Sequence, residues 1–204
     1  MPEPKLIDVS TPRDPRAVVL VLHGGASRPD STMVSPTQLS VLRMKPVASR
    51  VARAGRGRLA VLRLLNSHRG WDPRTTPVDD VRWALAQVAD RFGDLPVGLV
   101  GHSLGGRAAL LAGAAPAVRS VVALNPWVMP ADDAALGGTR VLVAHGDHDR
   151  IASIDRAHLV AEKLSRRTEV EFVVVPGGKH AMLRHGWRFE QLAADFTVAS
   201  LLDG

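Results

Sequence analysis

Six short runs that are apolar almost throughout constrain this chain most: residues 16–22, 59–65, 95–100, 118–124, 140–144 and 170–175. A strand wetted on one face alternates apolar and polar residues. A run that is apolar at every step belongs to a strand buried on both faces, as in a parallel sheet covered by helices. The segments between the runs carry helical spacing instead. Residues 36–54 place Leu39, Leu42, Val47 and Val51 on one face and end at Gly55, with Pro46 inside, where a kink or break is expected. Residues 78–92 are amphipathic, and Asp79 and Asp80 are expected in the first turn, where the helix dipole favours acids. Residues 153–165 and 186–202 read as two further helices, and residues 6–9 as a short edge strand. Strands and helices alternate without a repeat or a linker. The expected architecture is a single α/β domain over 1–204, a three-layer sandwich with helices on both faces of a mostly parallel central sheet.

Composition narrows the function classes. With 204 residues, 46% of them hydrophobic, the chain can bury a substantial core. It has no cysteine, which rules out disulfides and thiolate metal sites. The N-terminal residues are charged and Pro-rich without an apolar core segment, and no run is long enough to span a bilayer, so a soluble, cytoplasmic protein is expected. The net charge is +6, but Arg13, Arg43, Arg82, Arg119 and Arg166 are scattered. Only Arg50, Arg53, Arg56 and Arg58 crowd together, without interleaved aromatics. That pattern fits a solvated helix end better than a nucleic-acid surface.

Between the run at 95–100 and the small-residue segment after Arg107 lies Gly101-His102-Ser103-Leu104-Gly105-Gly106. A strand that reverses straight into a helix strains the turning residue and projects its side chain from the sheet end. Small flanking residues let the two backbones nearly touch. Ser103 therefore reads as a nucleophile on a sharp turn; the bland alternative is a serine that caps the helix. A serine hydroxyl needs a base to take its proton and a group to hold that base's tautomer. Two loops after later strands offer them: His145-Gly146-Asp147-His148-Asp149-Arg150 and Pro176-Gly177-Gly178-Lys179-His180-Ala181.

With His23-Gly24-Gly25 after the first buried run, these pieces make the chain resemble the α/β-hydrolase superfamily from Ala17 onward, and its small lidless serine-esterase or dienelactone-hydrolase-like members in particular. The resemblance implies Ser103 as nucleophile, Asp149 as the acid, with Asp147 a loop-structuring alternative, and His180 as the base, with His185 its rival. It implies the backbone N–H groups of Leu104 and Gly25 as the oxyanion hole, with Ala26 the alternative to Gly25. His23 and His145 would support their loops, and His102 would be a packed neighbour. The family's acid loop commonly continues to a proline that is missing after Asp149; Ser153 can cap the next helix instead.

The implied activity is hydrolysis of a small-molecule ester or thioester. The alternatives are amide or C–C bond cleavage by the same residues, or a non-catalytic binding protein on this fold. The segment between the fourth and fifth runs, residues 125–139, is too short for a cap, so an open site is expected. Trp127, Met129, His68, Trp71 and Met182 are the candidate substrate-binding residues. Arg69 and Arg150 either attract an anionic substrate or, as arginines in such loops more often do, pair with local carboxylates. No histidine spacing suits a metal, and the chemistry needs no cofactor. The apolar face of the last helix (Phe189, Leu192, Phe196, Leu201) is expected to pack on the sheet.

Overall fold

A computed structural model describes residues 3–25, 34–68, 70 and 76–203. Along the chain run β1 (Lys5–Ser10), β2 (Ala17–Leu22), α1 (Leu39–Leu42), α2 (Met44–Ala54), β3 (Leu59–Leu65), α3 (Thr76–Phe92), β4 (Val97–His102) and α4 (Leu104–Ala112). They are followed by β5 (Val118–Leu124), β6 (Arg140–Gly146), α5 (Ile154–Ser165), β7 (Val170–Val175) and α6 (Gly186–Leu202). The strands form one seven-stranded sheet in the order β1-β3-β2-β4-β5-β6-β7. Only β1 is antiparallel, pairing with β3 at the edge. The others are parallel, as the apolar runs predict.

Alternate residues of each strand feed opposite layers. Val18, Leu20 and Leu22 pack with Val78 and Val81 of α3 and with Ala108 and Ala109 of α4. Ala17, Val19 and Val21 pack instead with Met44 and Val51 of α2 and with Phe189 and Ala193 of α6. Every residue of β2 and β4 is buried, which is why neither strand alternates in sequence. On α6, Phe189 and Phe196 are buried and Leu192 and Leu201 pack beside them, so its apolar face lies on the sheet. β7 departs from its sequence. Its apolar run VEFVVV resembles an interior strand, yet only Val175 is buried, because β7 has a partner on one side only.

Two helix expectations are revised. The segment 36–54 does break, but at Arg43, three residues before Pro46. Proline lacks the N–H that would reach the Leu42 carbonyl, so α1 ends at Leu42. Pro46 then sits in the first turn of α2, where no intrahelical donor is needed. The helix α3 begins at Thr76, so Asp79 alone falls in its first turn. Asp80 is buried and accepts hydrogen bonds from Ser67 N at 2.8 Å and Ser67 Oγ at 2.9 Å, which ties the loop after β3 to α3. Residues 125–139 contain no helix or strand, so no cap is inserted between β5 and β6. Among the described residues, no helix is long and apolar enough to cross a membrane.

Candidate active site

Ser103 lies between β4 and α4 with φ 56° and ψ −121°, a conformation that costs an ordinary residue about 1–3 kcal/mol. Two glycines permit the turn. A Cβ at Gly101 would stand 2.2 Å from the Gly105 carbonyl oxygen, and one at Gly105 would stand 2.5 Å from the His23 carbonyl oxygen. No rotamer change relieves a clash with backbone. Gly101→Ala is therefore expected to cost about 3 kcal/mol of folding stability by urea titration; an unchanged midpoint would refute the close-packed turn. The serine does not cap α4, since its side chain makes no cap hydrogen bond.

Instead Ser103 Oγ lies 3.0 Å from His180 Nε2, and His180 Nδ1 lies 2.8 Å from Asp149 Oδ2. A carboxylate only accepts, so Nδ1 carries the imidazole proton and Nε2 presents its lone pair to the serine hydroxyl. Asp149 is itself held: Oδ1 accepts from Ile151 N at 2.8 Å and Ala152 N at 2.9 Å. Burial raises its pKa, but the hydrogen bonds from His180 and from the Ala152 and Ile151 amides outweigh that and keep the carboxyl below the usual aspartate value. Asp147 occupies a different position, its Oδ1 accepting from Gly177 N at 2.7 Å and joining the two loops. His185 stands at the N-terminal boundary of α6 in a left-handed conformation, without a side-chain cap hydrogen bond. Ser153 caps α5, its hydroxyl accepting from Arg156 N at 3.3 Å.

Three histidines brace the site in neutral form. His23 Nδ1 donates to Gly24 O at 2.5 Å, leaving Nε2 to accept from Asn66 N at 3.2 Å. His145 Nε2 donates to Ala152 O at 3.2 Å. His102 Nε2 donates to His180 O at 2.8 Å. Burial lowers all three pKa values, that of His102 to about 3. An unfolded histidine titrates near 6.5, so below that pH the unfolded chain takes up protons that the folded chain refuses. The stability these rings confer is complete above pH 6.5 and is lost as pH falls. From pH 7.5 to 5, His102 alone is expected to account for about 2 kcal/mol of the loss. Urea titrations of His102→Gln at the two pH values should show a difference smaller by that amount. An identical acid loss in the variant would contradict the assignment.

Asn125, which sequence reasoning passed over, clamps three strand ends. Fully buried at the end of β5, it donates from Nδ2 to Lys179 O at 3.2 Å and His180 O at 3.3 Å. Its Oδ1 accepts from Gly146 N at 2.8 Å. The only local signal was its place at a strand end before a proline.

Gly25, Leu104, Trp127 and His180 line, together with Ser103, a cleft of about 340 Å³. Leu104 opens α4, where a backbone N–H has no intrahelical partner. Ser40, Arg43 and Ile151 line the same cleft and were not singled out from sequence. Met129, His68 and Met182 do not line it. Met129 is partly exposed beyond Trp127, and its amide donates to Asp132 Oδ2 at 2.8 Å, the same carboxylate that grips Arg107. His68 stands next to Ser67, with Nδ1 3.1 Å from its hydroxyl. Met182 is buried in the layer of α2 and α6, where a flexible thioether fills the packing. Ala26, Arg69 and Trp71 lie outside the described residues.

The sequence profile described as "Alpha/beta hydrolase family" matches residues 18–139. That span includes Ser103 and stops before Asp149 and His180. No curated protein gives a significant match. Among solved structures, an alpha-beta serine hydrolase homologue from Coxiella burnetii has a TM-score of 0.69 at 19% identity, over 95% of this chain and 91% of that one. XC6422 from Xanthomonas campestris, an a/b serine hydrolase without lid, has a TM-score of 0.70 at 19% identity over 98% and 89%. Est1E from Butyrivibrio proteoclasticus, with ferulic acid bound, has a TM-score of 0.67 at 14% identity over 97% and 95%. Identities this low speak for the fold. Because the family profile covers more than half of the 204 residues, the chain belongs to the alpha/beta hydrolase family.

Proposed function

We propose that the protein is a serine hydrolase that cleaves a small-molecule carboxylic ester or thioester through an acyl-enzyme on Ser103. The observation that carries this is the relay Ser103 Oγ, His180 Nε2, His180 Nδ1, Asp149 Oδ2, with links of 3.0 and 2.8 Å. His180 Nε2 takes the hydroxyl proton as Oγ attacks the carbonyl carbon. The carbonyl π electrons move to oxygen, where the N–H groups of Leu104 and Gly25 receive the oxyanion. One such donor is worth about 3 kcal/mol of barrier. When the intermediate collapses, the C–O or C–S bond breaks and the alcohol or thiol leaves with the proton from His180. Water then attacks the acyl-enzyme, with His180 as base again, releasing the acid and restoring Ser103.

Trp127, one strand end away, is placed to contact the substrate from the cleft wall. An open cleft of this size suits short or medium acyl groups, and a cysteine-free chain needs no oxidising compartment, which supports a cytoplasmic setting. A panel of 4-nitrophenyl acyl esters, acyl-CoA thioesters and aminoacyl amides tests the bond class. Turnover of short esters or thioesters is expected; turnover confined to amides would overturn the ester assignment.

A further inference from the structure

Among the described residues lining the Ser103 cleft, Arg43 is the single lysine, arginine or carboxylate. The break between α1 and α2 puts it there, at the one residue separating the two helices. No carboxylate among the described residues pairs with it, and its Nε is buried without a hydrogen-bond partner. Several other arginines do meet a carboxylate: Arg91 meets Asp8, Arg107 meets Asp132, Arg140 meets Glu169 and Arg167 meets Asp133. A guanidinium cannot shed its proton, and a buried donor left unpaired costs about 1–3 kcal/mol. Burial alone lowers the Arg43 pKa; no neighbouring anion raises it.

The approach to the cleft has the same sign. Arg150 and Arg156 line an adjoining hollow that shares Trp127 and Ile151 with it, and neither pairs with a carboxylate among the described residues. Local pairing, expected for Arg150, is not what the structure shows. Asp149 also borders that hollow, but its two oxygens are committed to His180, Ile151 and Ala152.

We propose that Arg43 is a specificity-determining residue and that the substrate is an ester bearing a carboxylate, which the guanidinium holds while Ser103 attacks the ester carbonyl. The proposal rests on the serine-hydrolase reading for its chemistry, while the anion site itself can be tested without turnover. Guanidinium and carboxylate match as two parallel hydrogen bonds, and the low dielectric of a half-buried cleft strengthens the pair.

Two matched ester pairs provide the kinetic test. Mono-4-nitrophenyl glutarate and 4-nitrophenyl valerate differ by a carboxylate on the acyl side. Phenyl butanoate and 3-carboxyphenyl butanoate differ on the alcohol side. In one pair or the other, kcat/KM should favour the anion by about tenfold or more. Arg43→Met should abolish that ratio, Arg43→Lys should keep part of it, and Arg82→Met, at a remote exposed pair, should leave it intact. Equal rates within both pairs, or a preference that survives Arg43→Met, would overturn the proposal. Calorimetric titration of Ser103→Ala with monomethyl glutarate and with methyl valerate separates the two readings. Tighter binding of the anion, lost on adding Arg43→Met, upholds the anion site even if no ester is turned over. Equal binding of both compounds refutes it.

Discussion

Ser103→Ala is expected to lower kcat/KM on a good ester by roughly 10⁵ to 10⁶, and His180→Ala by nearly as much. The two losses do not add. With either partner gone, the 3.0 Å hydrogen bond that activates the hydroxyl no longer exists, and removing the second takes away nothing more. The double variant should fall within a few-fold of each single one. A residual rate of about 10³ over the uncatalysed reaction should persist, because the proposed oxyanion donors, the Leu104 and Gly25 amides, are untouched by these substitutions. Initial rates on one 4-nitrophenyl ester, normalised to folded protein, measure all three variants. Losses that multiply in the double variant would mean that the two side chains act independently.

The second large effect separates two neighbouring acids. Asp149→Asn is expected to cost about 10⁴ in kcat with little change in fold, because an amide NH₂ in place of Oδ2 faces the ring nitrogen with a donor. The imidazole then carries its proton on Nε2 and can no longer accept from Ser103. Asp147→Asn weakens the 2.7 Å bond to Gly177 N, a loop contact outside the relay, and should cost less than about tenfold. Comparable losses in both variants, measured as kcat against pH, would remove Asp149 from its assigned role.

Most of the frame was legible because it is written locally. The runs at 59–65 and 118–124 coincide with β3 and β5, and Gly101 to Gly106 folds as the turn its glycines permit. The loops carrying Asp149 and His180 were legible as strand ends, which a parallel sheet gathers on one side. What escaped depends on contacts between distant residues. Arg43 read as one of several scattered basic residues, since nothing near it in sequence shows that a helix break would bring it into the cleft that Ser103 lines. Asn125 was passed over because its partners, Gly146, Lys179 and His180, lie far from it in sequence. Met182 beside His180 suggested a pocket wall, but a positive φ of 51° turns the chain there and the side chain enters the core.

The most direct measurement is the intact mass and peptide map of the protein after reaction with a fluorophosphonate. Such probes lose fluoride to an activated serine oxygen and leave a stable phosphonyl ester. One adduct per chain on Ser103, absent from Ser103→Ala and strongly slowed in His180→Ala, is the expected result. An unlabelled wild type, or equal labelling of Ser103→Ala, would contradict the assignment of Ser103 as the nucleophile.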